Sequence, residues 1–227
     1  MTRWGCTTFG KWIIPLACAL GLQAALSSAG FAQTIWRPLP LDRTTPSGTA
    51  TVPRELASSL RIGSLPVDLA KTPLVTVQAQ LGGTLGHVGD ASESLSWLCV
   101  QGTDPAGRWV LWLESAEIDE DLVGSFQLRR LAPRARVDHR CAIVQGPADV
   151  ELPLKLALGM PRARVLQRLG RPSVESGKRL LYLHQHDELK VGNPTAGPQP
   201  FPVRNDLVIL LRQGIAHAVG ATKYTLW

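Results

Sequence analysis

The sequence predicts an α+β fold: short helices packed on a mainly antiparallel β-sheet. Strand-like runs follow one another closely from Leu95 onward, joined by short turns. One segment, Leu158–Ser173, has the apolar spacing and the end signals of a short helix. The composition, 44% hydrophobic and 19% charged over 227 residues, belongs to a folded domain and not to a disordered tail.

Residues 1–32 read as a secretory signal peptide. Arg3 and Lys11 supply positive charge, and no acid occurs before Asp42. An apolar run from Trp12 to about Leu26 follows, shorter than the roughly 20 residues that span a bilayer. Cleavage after Ala32 places the small residues Gly30 and Ala32 where a signal protease reads them; Ala29 is the second choice. Cys18 lies inside the run, but Pro15, Leu16 and Ala17 before it match a lipidation site poorly. Removing this segment takes away two cations and no acid, so the formal charge of +6 falls to about +4. Such a mild basic excess favours anionic surfaces without specifying nucleic acid. The expected location is periplasmic or secreted.

Two cysteines remain in the mature chain, Cys99 and Cys141. In an oxidising compartment they most simply form a disulfide. Closing a loop of that size stabilises by about 3–4 kcal/mol in the chain-entropy model. The close C-x-x-C spacing of a redox pair or metal site is absent.

Residues 33–53 are rich in Pro, Thr and Ser and have no period, so they read as an extended leader. Trp36 is the odd residue in it, expected to dock on the domain. Residues 54–148 form a β-rich half. Its first part is ambiguous: Leu56, Leu60 and Ile62 fit one side of a helix, Val75 and Val77 fit a strand, and Val77, Leu81 and Leu85 fit a helix. Strands are then expected at Leu95–Gln101, Arg108–Glu114 and Leu122–Arg130, a meander. In the last, Leu122, Gly124, Phe126 and Leu128 are expected inward and Val123, Ser125, Gln127 and Arg129 outward. Val137–Gln145 is expected to be a strand carrying Cys141. Residues 149–227 form the second half. Pro161 suits the first helical position, Ala163, Leu166 and Leu169 with Val165 form an apolar stripe, Gly170 ends the helix, and Pro172 forbids its continuation. Strands at Arg179–His186, Asp206–Arg212 and Ile215–Gly220 follow, with a Pro/Gly-rich loop from Gly192 to Pro202.

The pattern L-G-M-x-x-x-x-V-x-x-x-L-G-x-P-S at Leu158–Ser173, followed by three antiparallel strands, resembles the SmpA/OmlA group. Those are small outer-membrane assembly lipoproteins, structurally akin to the beta-lactamase inhibitor proteins. The matching positions are Gly159, Met160, Val165, Leu169, Gly170, Pro172, Tyr182 and Gly214, within about residues 150–221. The resemblance implies a pair of short helices on an antiparallel sheet. It also raises a tandem plan, since Leu85-Gly86 precedes Trp97 much as Leu169-Gly170 precedes Tyr182. Two readings stand: two copies of a helix-plus-three-strand unit, or two unrelated segments sharing one sheet.

Chemistry-bearing residues are sparse. His184 and His186 share one face of a strand, with Asp187 next and His217 on another strand, but zinc needs a third ligand and usually a fourth. Glu114, Glu117, Asp119, Glu120 and Asp121 crowd one hairpin without calcium-loop spacing. Gly82, Gly83, Gly86 and Gly89 lack the dinucleotide fingerprint and read as a loop. No nucleophile motif appears. Arg162, Arg164, Arg168 and Arg171 cluster on the helix, the last three at spacings of four and three that share a face. The expectation is an exported, non-catalytic binding or accessory protein of the cell envelope, using no cofactor. It acts by contact with an envelope protein or an anionic envelope surface through those arginines, and not with nucleic acid. The rival readings are an envelope hydrolase using His184 and His186, and an inhibitor of a secreted enzyme.

Overall fold

The computed structural model describes residues 34–89, 94–115, 121–144, 150–190 and 198–226. The signal-peptide reading therefore lies outside the described residues, as do the acidic hairpin from Glu117 to Glu120 and the loop from Gly192 to Gly197. The described residues belong to one compact unit.

In chain order the elements are β1 (Thr34–Ile35), β2 (Ser59–Ile62), β3 (Leu65–Asp68), α1 (Leu74–Leu81), β4 (Leu85–Val88), β5 (Leu95–Asp104), β6 (Gly107–Ser115), β7 (Val123–Arg130), β8 (Arg136–Val137), β9 (Ala142–Ile143), β10 (Val150–Glu151), α2 (Arg162–Leu169), β11 (Val174–Ser176), β12 (Arg179–Lys190), β13 (Gln199–Arg212) and β14 (Ile215–Thr225). The long strands build one sheet in the order β11-β12-β13-β14-β7-β6-β5-β4, with β9 lying parallel to β5. All neighbours along that path are antiparallel. A separate three-stranded sheet, β10-β2-β3, packs beside the helices. The α+β class stands.

The ambiguous stretch resolves by burial. Leu60 and Ile62 go inward from a strand, with Arg61 out between them. Helix wins over strand at Val75 and Val77 in α1, where Leu74 and Val77 are buried and Val75 is exposed, but Leu85, the last of the expected helical series, lies in β4. Both helices lack a side-chain N-cap and have Pro at the N-cap position, Pro73 and Pro161, in extended conformation. Pro161 thus stands one residue ahead of its expected place. Hydrogen bonds from the sheet substitute for capping: Leu74 N–H donates to the Asp121 carbonyl at 2.6 Å, and Arg162 N–H to the Gly214 carbonyl at 2.8 Å. Each helix ends at a Gly with positive φ, Gly82 and Gly170, where a side chain would be strained. In α2 the buried residues are Val165 and Leu169, while Leu166 is half-buried and Ala163 exposed, so the stripe is narrower than the sequence suggests. The Tyr182 hydroxyl donates to the Gly170 carbonyl at 3.2 Å and ties the helix end to β12.

β7 corrects the simple alternation. A bulge between Glu114 and Ser115 lets Ser115 pair with Val123 while Glu114 pairs with Ser125. Val123 therefore joins Phe126 and Leu128 in the helix-side core. Ser125 and Gln127, expected outward, are also buried, because the leader covers that face. Val137–Gln145 is not one strand: β8 pairs with β1 and β9 with β5, and a turn in which Cys141 N–H bonds the Asp138 carbonyl separates them. Cys99 and Cys141 form a disulfide across a separation of 42 residues. It sits with Trp97, Val110 and Trp112 on the face opposite the helices.

Residues 34–45 cross that face as a strap. β1 pairs in parallel with β8. The Trp36 ring meets Trp97 edge-on, centroids 5.7 Å apart, and the Arg140 guanidinium lies 4.0 Å above it. Trp112 Nε1 donates to the Trp36 carbonyl, Gln127 Nε2 to that of Leu39 and Arg129 Nη2 to that of Pro40. Leu41 then lies against Gly220, so close that a Cβ there would stand 2.2 Å from Leu41 Cδ1. Arg179 holds Asp42 at 2.7 Å, and Arg204 Nη2 donates to Thr45 Oγ1. The chain next rounds the edge of β12, where Val52 N–H donates to the Leu183 carbonyl at 2.7 Å. Leu56 and Ala57 then enter the helix-side core.

Candidate functional site

The four arginines in and just after α2 divide into two pairs. Arg162 is tied to Glu175, its Nε 3.0 Å from Oε1. Arg168 donates to the carbonyls of Leu154 and Lys155, two residues held at positive φ. It is a brace for that strained turn. Arg164 and Arg171 are exposed and, among the described residues, have no hydrogen-bond or ionic partner. Arg162, Arg164 and Arg168 lie on α2, whereas Arg171 follows the helix end at Gly170. Two guanidiniums stand in water beside two that are fixed. Such a pair offers planar, multiply donating cations to carboxylate or phosphate groups.

His184 and His186 share the helix side of β12, their rings 5.2 Å apart. Both are already engaged. His184 Nδ1 meets the Val52 carbonyl at 3.0 Å and His186 Nε2 meets Glu188 Oε1 at 3.0 Å. Glu188 also pairs with Lys223 at 2.9 Å, and Lys223 reaches Glu55 at 3.5 Å. The Lys223 and His186 bonds pull the Glu188 carboxyl below its ordinary value, against the opposing effect of burial. His217 is not in this group: His184 stands opposite Asn205, which stands opposite Lys223, six positions along β14 from His217. Burial first, then the nearby Arg129, lowers the His217 pKa. Among the described residues no group of three or more His, Cys, Asp or Glu side chains is placed to hold a metal ion. The arrangement is a charge network that anchors residues 52–57, with His184 Nδ1 and His186 Nε2 committed to hydrogen bonds and His186 Nδ1 buried without a partner among the described residues.

Under the strap lies a polar row that sequence reasoning did not find. Trp97, Glu114, Ser125 and Thr222 are successive cross-strand neighbours on one face. Glu114 is buried, and burial raises its carboxyl pKa, with Arg43 and the Ser125 hydroxyl acting in the opposite sense. Glu114 Oε1, Trp97 Nε1, Thr222 Oγ1 and Gln127 Oε1 lack protein partners there. The one signal in the sequence was Glu114 ending an otherwise apolar strand. It read as part of the acidic hairpin because the leader's position was unknown.

The glycine run has a packing explanation. A Cβ on Gly86 would stand 2.1 Å from the Trp97 ring, its cross-strand neighbour. Gly83 lies against the backbone of Arg140 and Ala142. Among the described residues no helix is long and apolar enough to cross a membrane, which says nothing about β-barrels. No protein-family model matches this chain, and no curated protein or solved structure matches it.

Proposed function

We propose that this is an exported, non-catalytic binding or accessory protein of the cell envelope that acts through contact with an acidic protein surface at α2. The observation that carries the reading is the pair Arg164, on α2, and Arg171, just past its end, both exposed and without a partner among the described residues, while Arg162 and Arg168 are braced. A rigid platform lowers the ordering cost of binding. The disulfide fits export to an oxidising compartment.

The tandem plan and the SmpA/OmlA likeness belong to the same proposal. Supporting them, Pro73, Leu74, Gln78 and Gly82 of α1 occupy the roles of Pro161, Arg162, Leu166 and Gly170 of α2. Pro73 bridges Leu122 just ahead of β7 as Pro161 bridges Ile215 in β14. Both helices are followed by a short strand and three long ones.

The test is retention of native envelope proteins on the immobilised mature chain, compared with an Arg164→Glu/Arg171→Glu variant. A protein retained by the native chain, released by salt and lost with the variant supports the reading. Identical retention by both chains overturns it, and so does binding confined to anionic lipid vesicles.

A further inference from the structure

Beyond the arginine pair, and resting on the reading that this protein acts by protein contact, we propose that the outer edge of β12 at Gln185, Asp187 and Leu189 accepts an extended, cationic segment of another protein as an added strand. β12 has twelve residues and pairs with β13 along its whole length. On its other side β11 covers only Arg179, Leu180 and Leu181. Leu183 is served next: its N–H bonds Ser173 Oγ at 3.0 Å, and its carbonyl accepts Val52 N–H at 2.7 Å. The same edge then continues through Gln185, Asp187 and Leu189, because backbone groups alternate sides along a strand. Among the described residues the backbone groups of these three have no partner on that side. All three are exposed, Leu189 at 74%.

The opposite edge of the same two-stranded arm is closed chemically. Beyond Val203 the β13–β14 ladder ends with one more bond, from the Leu226 N–H to the Pro202 carbonyl at 2.8 Å. Its outward positions there are Pro202, facing Asp187 across the ribbon, and Pro200, facing Leu189. Proline has no N–H to offer an incoming strand, and it is a common device for blocking an exposed edge. One side of the arm is thus protected and the other left open. The chain itself already uses the open side once, at Val52.

The charge at the centre selects the occupant. A second copy pairing antiparallel over all three residues would set Asp187 directly against Asp187 of that copy, and like charges directly opposite are unfavourable. Moving the register toward Leu183 meets groups already bonded to Ser173 and Val52. A foreign strand with Lys or Arg opposite Asp187 and an apolar residue opposite Leu189 meets neither obstacle. This is strand addition, in which main-chain bonds supply affinity and alternate side chains supply choice.

The probe is an end-capped heptapeptide of alternating threonine and valine with a central lysine, titrated into the full mature chain and followed by backbone amide NMR. The expected result is saturable shifts and slowed hydrogen exchange at Gln185, Asp187 and Leu189. Replacing the peptide lysine by glutamate should weaken binding by about fivefold or more. Asp187→Pro should abolish it while leaving the β12–β13 bonds intact, since the lost N–H points away from β13. Should that variant fold poorly, N-methylation of the peptide amides on the β12 side must abolish binding and N-methylation on the far side must spare it. Absence of shifts at the three residues, or indifference to the side methylated, overturns the proposal. Dimerisation through this edge, abolished by Asp187→Pro, overturns the choice of a foreign strand. Arg164→Glu/Arg171→Glu should leave peptide binding unchanged, which separates failure at this edge from failure at α2.

Discussion

Glu114 concentrates the electrostatic cost of folding in one side chain. Its carboxyl lies under the strap, and its pKa rises above the ordinary 4.5 because burial disfavours the charged form. A carboxyl with a raised folded pKa favours the folded state when protonated. That contribution is complete below 4.5 and is lost as pH rises through the raised value. Glu114→Gln should therefore match the native protein in acid and become progressively more stable than it as pH rises. Urea unfolding from about pH 4 to about pH 8 measures this. A gap that stays constant with pH would remove the explanation. The placement of Arg162, Arg164 and Arg168 on α2 was legible at this scale, whereas the helix ends before Arg171. That Arg162 and Arg168 would be occupied was not legible. Their partners, Glu175 and the carbonyls of Leu154 and Lys155, are brought close only by tertiary folding.

At the scale of elements, local signals served where the chain itself sets the structure. Pro161, Val165, Leu169 and Gly170 bracket α2, and the strong runs around Val100, Leu111 and Leu128 give strands, though each long strand extends past its apolar centre. Failure came where partners are remote. Leu60 and Ile62 fit a helix in isolation and become a strand because β3 and β10 flank them. The leader has no period because it is held by side chains on β6, β7, β12 and β13, and its own local bonds are isolated turns, such as Thr44 N–H to Asp42 Oδ1 and Thr49 N–H to the Pro46 carbonyl. Trp36 is its anchor at one end. Trp36→Ala removes the contact with Trp97 and the cation–π contact with Arg140, at a cost of about 1–3 kcal/mol. Hydrogen exchange should quicken first in the amides beneath the strap, such as those of Gln127 and Arg129. A global loss of protection with no local preference would show that the strap is not a separable unit.

On the scale of the molecule, the disulfide joins β5 to the turn before β9, whereas the strap and the disulfide share one face and one cluster of aromatic rings. Cys99→Ser with Cys141→Ser should lower stability by about 3–4 kcal/mol, since the closed loop limits the unfolded chain. Thermal unfolding with and without reductant checks the value, and the double variant should be insensitive to reductant. The pairing was readable from a count of cysteines. The joining of the two halves was not, because the bond between β7 and β14 spans some ninety residues of sequence. No local pattern encodes a contact of that range.

That pairing also constrains the order of assembly. β14 is the latest strand in sequence, yet it lies in the middle of the sheet, between β13 and β7. The early strands β4 to β7 can make their own meander, but their inner margin stays open until residues 215–225 emerge. The strap, near the start of the described residues, cannot seat Leu41 until Gly220 is in place. A partly synthesised chain thus exposes both an unpaired margin and a ring-lined face. Such intermediates are prone to aggregate and fold slowly, so productive folding of this protein waits on its last strand.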